Sequence, residues 1–196
     1  MTLKGANNLK ILVLSASNVG NKTGIVTQKA YEMLQAKHSE HDLTYLNLKD
    51  KELIFSDGRH YLDYTGDTLE ATQAVMAADV IILGTPIFQA SIPGVLKNLF
   101  DLLPQNALLD KTVSMIVTAG SDKHFLVAEQ QLKPILAYMK ANVLQNYVFV
   151  RDIDFGLDGI ENDDIYFRLD TLVEDTVMLG KTYQEVLQAK EAAFGF

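Results

Sequence analysis

The sequence predicts an α/β fold: a doubly wound, five-stranded parallel sheet with helices on both faces. Three observations carry that expectation. Short apolar, β-branched runs alternate with stretches of helical periodicity from Ile11 onward. The runs Ile11–Leu14 and Val80–Leu83 are continuously apolar, the pattern of buried strands, and Val113–Val117 predicts a further strand. The loops after these same three runs are unusually polar or aromatic, and open parallel sheets bind ligands outside the carboxyl ends of their strands.

Taken in order, strand one (Ile11–Leu14) ends in Ser15-Ala16-Ser17-Asn18-Val19-Gly20-Asn21-Lys22-Thr23-Gly24, and a helical pattern at Ile25, Ala30 and Leu34 follows. Leu43–Leu48 alternates apolar and polar residues and predicts a second, less buried strand. Residues 49–67 form a polar connection longer than most, containing Asp57-Gly58-Arg59-His60 and two tyrosines; it is functional, an interface segment or a surface excursion. Thr68–Ala78 predicts a helix leading into strand three.

Strand three stops at Gly84-Thr85-Pro86. The loop Ile87–Ile92 and the punctuation Pro93-Gly94 come next, then Val95, Leu96, Leu99, Phe100, Leu102 and Leu103 at helical spacing up to Pro104. Strand four ends in Thr118-Ala119-Gly120-Ser121-Asp122. Phe125–Lys140 predicts a helix with a kink or register break at Pro134. Val143–Val150 predicts strand five, residues 151–164 a loop, and Ile165–Ala193 one long final helix. The whole chain, residues 1–196, reads as one domain without repeats.

Composition narrows the partners. A net charge of −8 argues against nucleic acid or an anionic membrane surface, which need a basic face. The chain has no cysteine, so disulfides and thiolate metal sites are excluded, and the run Ile11–Leu14 is too short for a signal peptide or membrane span. The expected location is the cytoplasm. His38 and His41 lie three apart with no third ligand at metal spacing and read as surface residues, so no metal site is expected.

The loop after strand one gathers hydroxyls, amides and a helix N-terminus, a set that suits a phosphate. The same residue types also serve as turn and cap residues. It is neither G-x-x-x-x-G-K-[ST] nor G-x-G-x-x-G. No nucleophile–base triad or paired carboxylate stands out, and no catalytic side chain is expected.

The stretch GTPIFQASIPGVLKNLFDLLP (84–104) resembles a loop of NAD(P)H-dependent FMN reductases, with its T-P-x-[YF]-x-x-x-x-[PS]-G-x-L-K-x-x-[LF]-D-x-L-P pattern. A second stretch, TAGSDKHFLVAEQQLKPIL (118–136), resembles that family's other flavin loop, and the likeness runs from strand one to about Val150. The resemblance implies a flavodoxin-like sheet of order 2-1-3-4-5, FMN at the switch point between strands one and three, and NADPH or NADH as hydride donor. It further implies a second acceptor such as free flavin, a quinone or an azo compound, a homodimer or tetramer, and in some members a flavin-dependent monooxygenase as partner.

On that resemblance the cofactor-binding residues are Ser15, Ser17, Asn21, Lys22 and Thr23 around the phosphate, Thr85, Pro86, Ile87 and Phe88 against the ring, and Thr118, Ala119, Gly120 and Ser121 at its polar edge. Many members carry G-S-x-R where this chain has Ala16-Ser17-Asn18-Val19, and Lys22 is the expected substitute for the arginine. Some members that release reduced FMN to a partner monooxygenase have an inserted tyrosine-like feature in helix four; Glu129-Gln130-Gln131 stands here without tyrosine, and on that resemblance a resident flavin is expected. The alternative is a flavodoxin-type electron carrier, although its T-x-T-G-x-T loop is absent. A phosphoacceptor receiver domain is excluded: it needs an aspartate at the end of strand three and an acidic cluster after strand one, where this chain has Gly84-Thr85 and Ser15-Ala16-Ser17.

Overall fold

A computed structural model describes residues 8–194. The strands β1 (Lys10–Ser15), β2 (Asp42–Asn47), β3 (Val80–Pro86), β4 (Thr112–Ala119), β5 (Asn142–Val143) and β6 (Val148–Arg151) form one parallel sheet of order β2-β1-β3-β4-β5, with β6 also on β4. Every pairing in it is parallel; in the registers Ser15 lies beside both Asn47 and Gly84, and Pro86 beside Thr118. The carboxyl ends of β1, β3 and β4 therefore lie side by side, as the doubly wound order requires.

The helices are α1 (Lys22–Lys37), α2 (Gly66–Ala77), α3 (Gly94–Leu102), α4 (Lys133–Tyr138) and α5 (Asp163–Phe194). Alternate residues of each central strand point to opposite faces, and each face has its own core. Leu12, Leu14, Ile81 and Leu83 pack with α2, α3 and α4; Ile11, Val13, Val80 and Ile82 pack with α1 and α5. Gly180 lets α5 close on β3, since a β-carbon there would lie 2.5 Å from Val80 Cγ2. The lack of a side chain at Gly84 does the same for α1: a β-carbon would fall 2.1 Å from Thr27 Cγ2 and 3.4 Å from Thr23 Cγ2. That close approach sets the first turn of α1 over β3, at the edge where the polar loops emerge.

Four elements differ from the sequence expectation. The single strand expected over Val143–Val150 is two short strands. Between them the Gln145 carbonyl accepts from Lys133 Nζ at 2.7 Å and Tyr147 donates its hydroxyl to the Phe125 carbonyl. A broken outer strand of this kind blunts a sheet edge. The fourth helix starts later than expected: Asp122–His124 is a 3₁₀ turn, Ala128–Leu132 a π turn, and regular helix begins only at Lys133. Pro134 has no N–H for the Gln130 carbonyl, so the register break falls just before it.

The expected loop at 151–164 holds a small hairpin of β7 (Phe155–Gly156) and β8 (Gly159–Ile160). Asp154, almost fully buried, anchors it by accepting from the Arg151 backbone N–H (2.8 Å), Arg151 Nη2 (3.1 Å) and Asn162 Nδ2 (2.7 Å). Finally, the long connection at 49–67 is strapped across α3. Asn98 Oδ1 accepts from Ser56 N at 2.9 Å, Asn98 Nδ2 donates to Ile54 O at 3.0 Å, and Tyr64 is buried beneath Asp57. The apolar residues Leu96, Leu99, Phe100 and Leu102 of α3 are all buried within the chain.

Candidate functional site

Three loops meet at the carboxyl edge of the sheet. The first leaves β1 at Ser15 and is tied to β3 by the Ala16 N–H, which donates to Gly84 O at 2.7 Å. Its shape comes from Ser17, whose hydroxyl donates to Val19 O (2.7 Å) and accepts from Val19 N (3.3 Å), a serine turn. The loop then enters α1 at Lys22. Asn21 makes no side-chain cap and the first turn holds no acidic residue, so the helix presents uncovered N–H groups and its positive dipole end.

The second loop leaves β3 at Pro86. Ile87 N donates to Thr118 O at 2.9 Å, and Phe88 and Ser91 exchange two backbone hydrogen bonds at 3.0 Å around a two-residue turn. Both turn residues, Gln89 (φ +50°) and Ala90 (φ +58°), are left-handed, a conformation that strains residues with a β-carbon. Gln131 holds the turn in place: its Oε1 accepts from Ser91 Oγ at 2.5 Å and its Nε2 donates to Ala90 O at 3.1 Å. Gln131 belongs to the π turn, and that local register aims it at the loop.

The third loop follows β4, and Thr118 joins it to the first: Thr118 Oγ1 and Thr23 Oγ1 share a buried hydrogen bond of 2.7 Å. The three loops enclose a cavity of about 360 Å³ lined by Asn21, Lys22, Thr23, Pro86, Ile87, Phe88, Thr118, Ala119 and Gly120, with Val19, Gly20 and Asp152 completing it. Its walls divide by chemistry. Pro86, Ile87 and the half-exposed Phe88 make an apolar side, while Thr118, Gly120 and the Asn21–Thr23 backbone make a polar one.

Ser15 and Ser17 line an adjoining cavity of about 400 Å³ on the β2 side, which shares Gly20 and Asn21 with the first. The Ser15 hydroxyl is fully buried there and makes no hydrogen bond within the protein. Thr85 and Ser121 line neither cavity. Thr85 is buried behind the loop with its hydroxyl on Pro86 O at 3.1 Å, and Ser121 precedes the 3₁₀ turn at Asp122.

Sequence reasoning missed Asp152. It stands one residue past β6, reaches the cavity wall, and its Oδ1 pairs with Lys22 Nζ at 2.8 Å. The signal was the position itself, a carboxylate at the carboxyl end of the next strand along the same edge. The neighbouring Arg151 pairs with Asp122 at 3.3 Å, joining the third and fourth loops. Burial by itself raises the Asp154 carboxyl beneath it, but hydrogen bonds from Arg151 and Asn162 outweigh that and hold it down at about 2.

Other places are larger or richer in ligating atoms without this convergence. A groove of about 640 Å³ lies between α3 and α4, lined by Phe100, Leu103, Ile135, Tyr138 and Met139 with Gln105 and Asn106 at its edge. His41 is buried rather than at the surface, and His38, Glu40 and His41 bring their ligand atoms within 4.8 Å of one another, a third partner the sequence did not reveal. His41 Nδ1, however, accepts from the Leu9 N–H at 3.3 Å. Its Nε2 therefore carries the proton in the neutral ring and has no lone pair for a metal. Among the described residues no helix is long and apolar enough to cross a membrane.

Known proteins are similar to this chain in sequence and fold. An NAD(P)H-dependent FAD/FMN reductase of Geobacillus thermodenitrificans (strain NG80-2) is 40% identical over 150 residues, 76% of this chain and 80% of that protein. The NADH-dependent FMN reductase SfnF of Pseudomonas fluorescens (strain Pf0-1) is 35% identical over 115 residues, 59% of this chain and 62% of its own length. Among solved structures, the apo form of an NADH:FMN oxidoreductase (EMOB) superposes with a TM-score of 0.70 at 28% identity, covering 87% of this chain and 89% of that one. The sequence model of the NADPH-dependent FMN reductases matches residues 9–155, which takes in β1 through β6 and all three loops of the cavity. By that match the chain belongs to the NADPH-dependent FMN reductase family.

Proposed function

We propose that this protein is an FMN-dependent NAD(P)H oxidoreductase that passes electrons from a nicotinamide through FMN to a second small-molecule acceptor. The observation that supports it most is the Thr23–Thr118 hydrogen bond, which fastens the polar loop of α1 to the loop beside Phe88 and so makes one cavity with an anion-binding end and an apolar wall. FMN has the matching shape, a single phosphate at one end and a flat ring with a polar edge at the other. The buried, unpartnered Ser15 hydroxyl and the uncovered N-terminus of α1 fit the phosphate end, with Ser17, Asn21 and Thr23 beside them.

FMN, when bound, supplies the hydride-accepting ring, and the chain's own residues orient it and shield it. Pro86, Ile87 and Phe88 cover one face; Ala119 and Gly120 offer backbone N–H groups to the polar edge; Thr85 supports Pro86 from behind. Orientation of a stacked nicotinamide, rather than a general base, is the chain's contribution to the transfer. Steady oxidation of NADPH or NADH by purified protein loaded with FMN tests the reading. Tight FMN binding without turnover of either nicotinamide would favour an electron carrier instead.

The same reading includes a homodimer or larger assembly, for which the α3–α4 groove and the exposed Tyr138, Phe125 and Leu126 are the support. It also includes a resident rather than released flavin, since the π turn carries Glu129-Gln130-Gln131 and no tyrosine. Light scattering of the coloured protein over a dilution series tests both, and a colourless monomer at micromolar concentration would contradict them.

A further inference from the structure

We infer that Lys49, from the turn after β2, is the cation that holds the phosphate of the bound flavin, in the place where an arginine of the loop after β1 is missing. The inference rests on the flavin reading above and adds a residue that neither the loop motif nor the family pattern contains. Two lysines line the paired cavities, Lys22 and Lys49. Lys22 is engaged elsewhere: its Nζ lies 2.8 Å from the Asp152 carboxylate and 5.2 Å above the Phe155 ring, so its charge is already balanced on the β6–β7 side.

Lys49 has the opposite setting. Its Nζ donates to the Asn21 side-chain oxygen at 2.5 Å, a neutral partner, which leaves a full positive charge and two N–H donors at the loop. The sheet puts it there. β2 pairs with β1 so that Asn47 lies beside Ser15, and the 3₁₀ turn Leu48–Asp50 that follows brings Lys49 to the cavity that Ser15 and Ser17 line. Asn47 fixes the turn by accepting from Lys49 N at 3.3 Å, and its amide also holds the Asp50 carboxylate at 3.0 Å.

The second observation that points to a ligand is the Ser15 hydroxyl: fully buried, without a partner, and lining the same cavity as Lys49, Ser17 and Asn21. A buried hydroxyl of that kind is costly unless something accepts or donates there. A phosphomonoester dianion seated on the uncovered first turn of α1 supplies acceptors to Ser15, to the loop N–H groups and to Lys49 together.

Equilibrium titration of FMN and of riboflavin, which lacks the phosphate, tests this on the full chain. Lys49→Met should weaken FMN by about ten- to a hundredfold, the range of one charge-assisted hydrogen bond, and leave riboflavin unchanged. Lys22→Met should move FMN by less than about threefold, since the charge it removes is already paired. Lys49→Arg should restore most of the loss, and unchanged riboflavin affinity reports that the fold is intact. Wild-type protein that prefers FMN over riboflavin while Lys49→Met keeps that preference would overturn the assignment and leave the flavin reading standing. Wild-type protein with no preference for FMN over riboflavin would overturn both.

Discussion

Thr23 and Thr118, 95 residues apart in sequence, share a buried hydrogen bond of 2.7 Å between their hydroxyl oxygens. It links the first turn of α1 to the end of β4, and Gly84 permits it by letting α1 close on β3. Replacing either threonine by valine keeps the shape and removes the bond. Each single variant should lose about 1 kcal/mol of stability, and the double variant should lose clearly less than the sum, since the second change leaves no orphaned hydroxyl. Urea unfolding of the four proteins in the cycle measures this, and strict additivity would mean that the two loops are not coupled through the pair.

The turn beside Phe88 is the strained part of the site, and Gln131 is what restrains it. Ala90→Gly should raise stability by roughly 0.5–1 kcal/mol, because glycine adopts a positive φ without steric cost and this gain exceeds its extra entropy in the unfolded chain. Gln131→Ala should lower it by about 1 kcal/mol through loss of its bonds to Ser91 and Ala90. Denaturant midpoints of the two variants against wild type read both effects. An Ala90→Gly protein less stable than wild type would show that the left-handed turn is not adopted.

Much of this was legible in the chain itself. Runs such as Val80–Leu83, apolar on both faces, predicted central strands, and the polar loops beyond Ser15, Pro86 and Thr118 did converge on one edge. What the periodicity could not show was set by long-range contacts. The π turn at Ala128–Leu132 has the same apolar content as a helix, and only the missing N–H of Pro134 hints at it. Asp152 and Lys49 sit at strand ends, where a charged residue reads as an ordinary solvated boundary. Their places in the cavities follow from β6 pairing with β4 and from β2 pairing with β1, and neither register is written in a local pattern.

Asp154 gives the protein an acid-sensitive joint beneath the site. Its carboxyl is lowered from 3.8 to about 2 in the folded protein, so its contribution is fully present above pH 4 and is lost as the pH falls through 2. That contribution is about 2 kcal/mol from the size of the shift. Urea midpoints taken between pH 6 and pH 2 should therefore fall more steeply for wild type than for Asp154→Asn, which should already be weaker at pH 6. Parallel curves for the two proteins would place the acid sensitivity elsewhere.

The most direct test of the central claim is anaerobic mixing of the FMN-loaded protein with NADPH, and separately with NADH, while following the visible absorption band of the flavin. The loops around Thr23, Phe88 and Thr118 are read as a seat in which a nicotinamide stacks on bound FMN, so the band should bleach with at least one of the two nucleotides, and oxygen or another acceptor should restore it. Protein that retains FMN with its oxidised spectrum unchanged by either nucleotide would contradict the account.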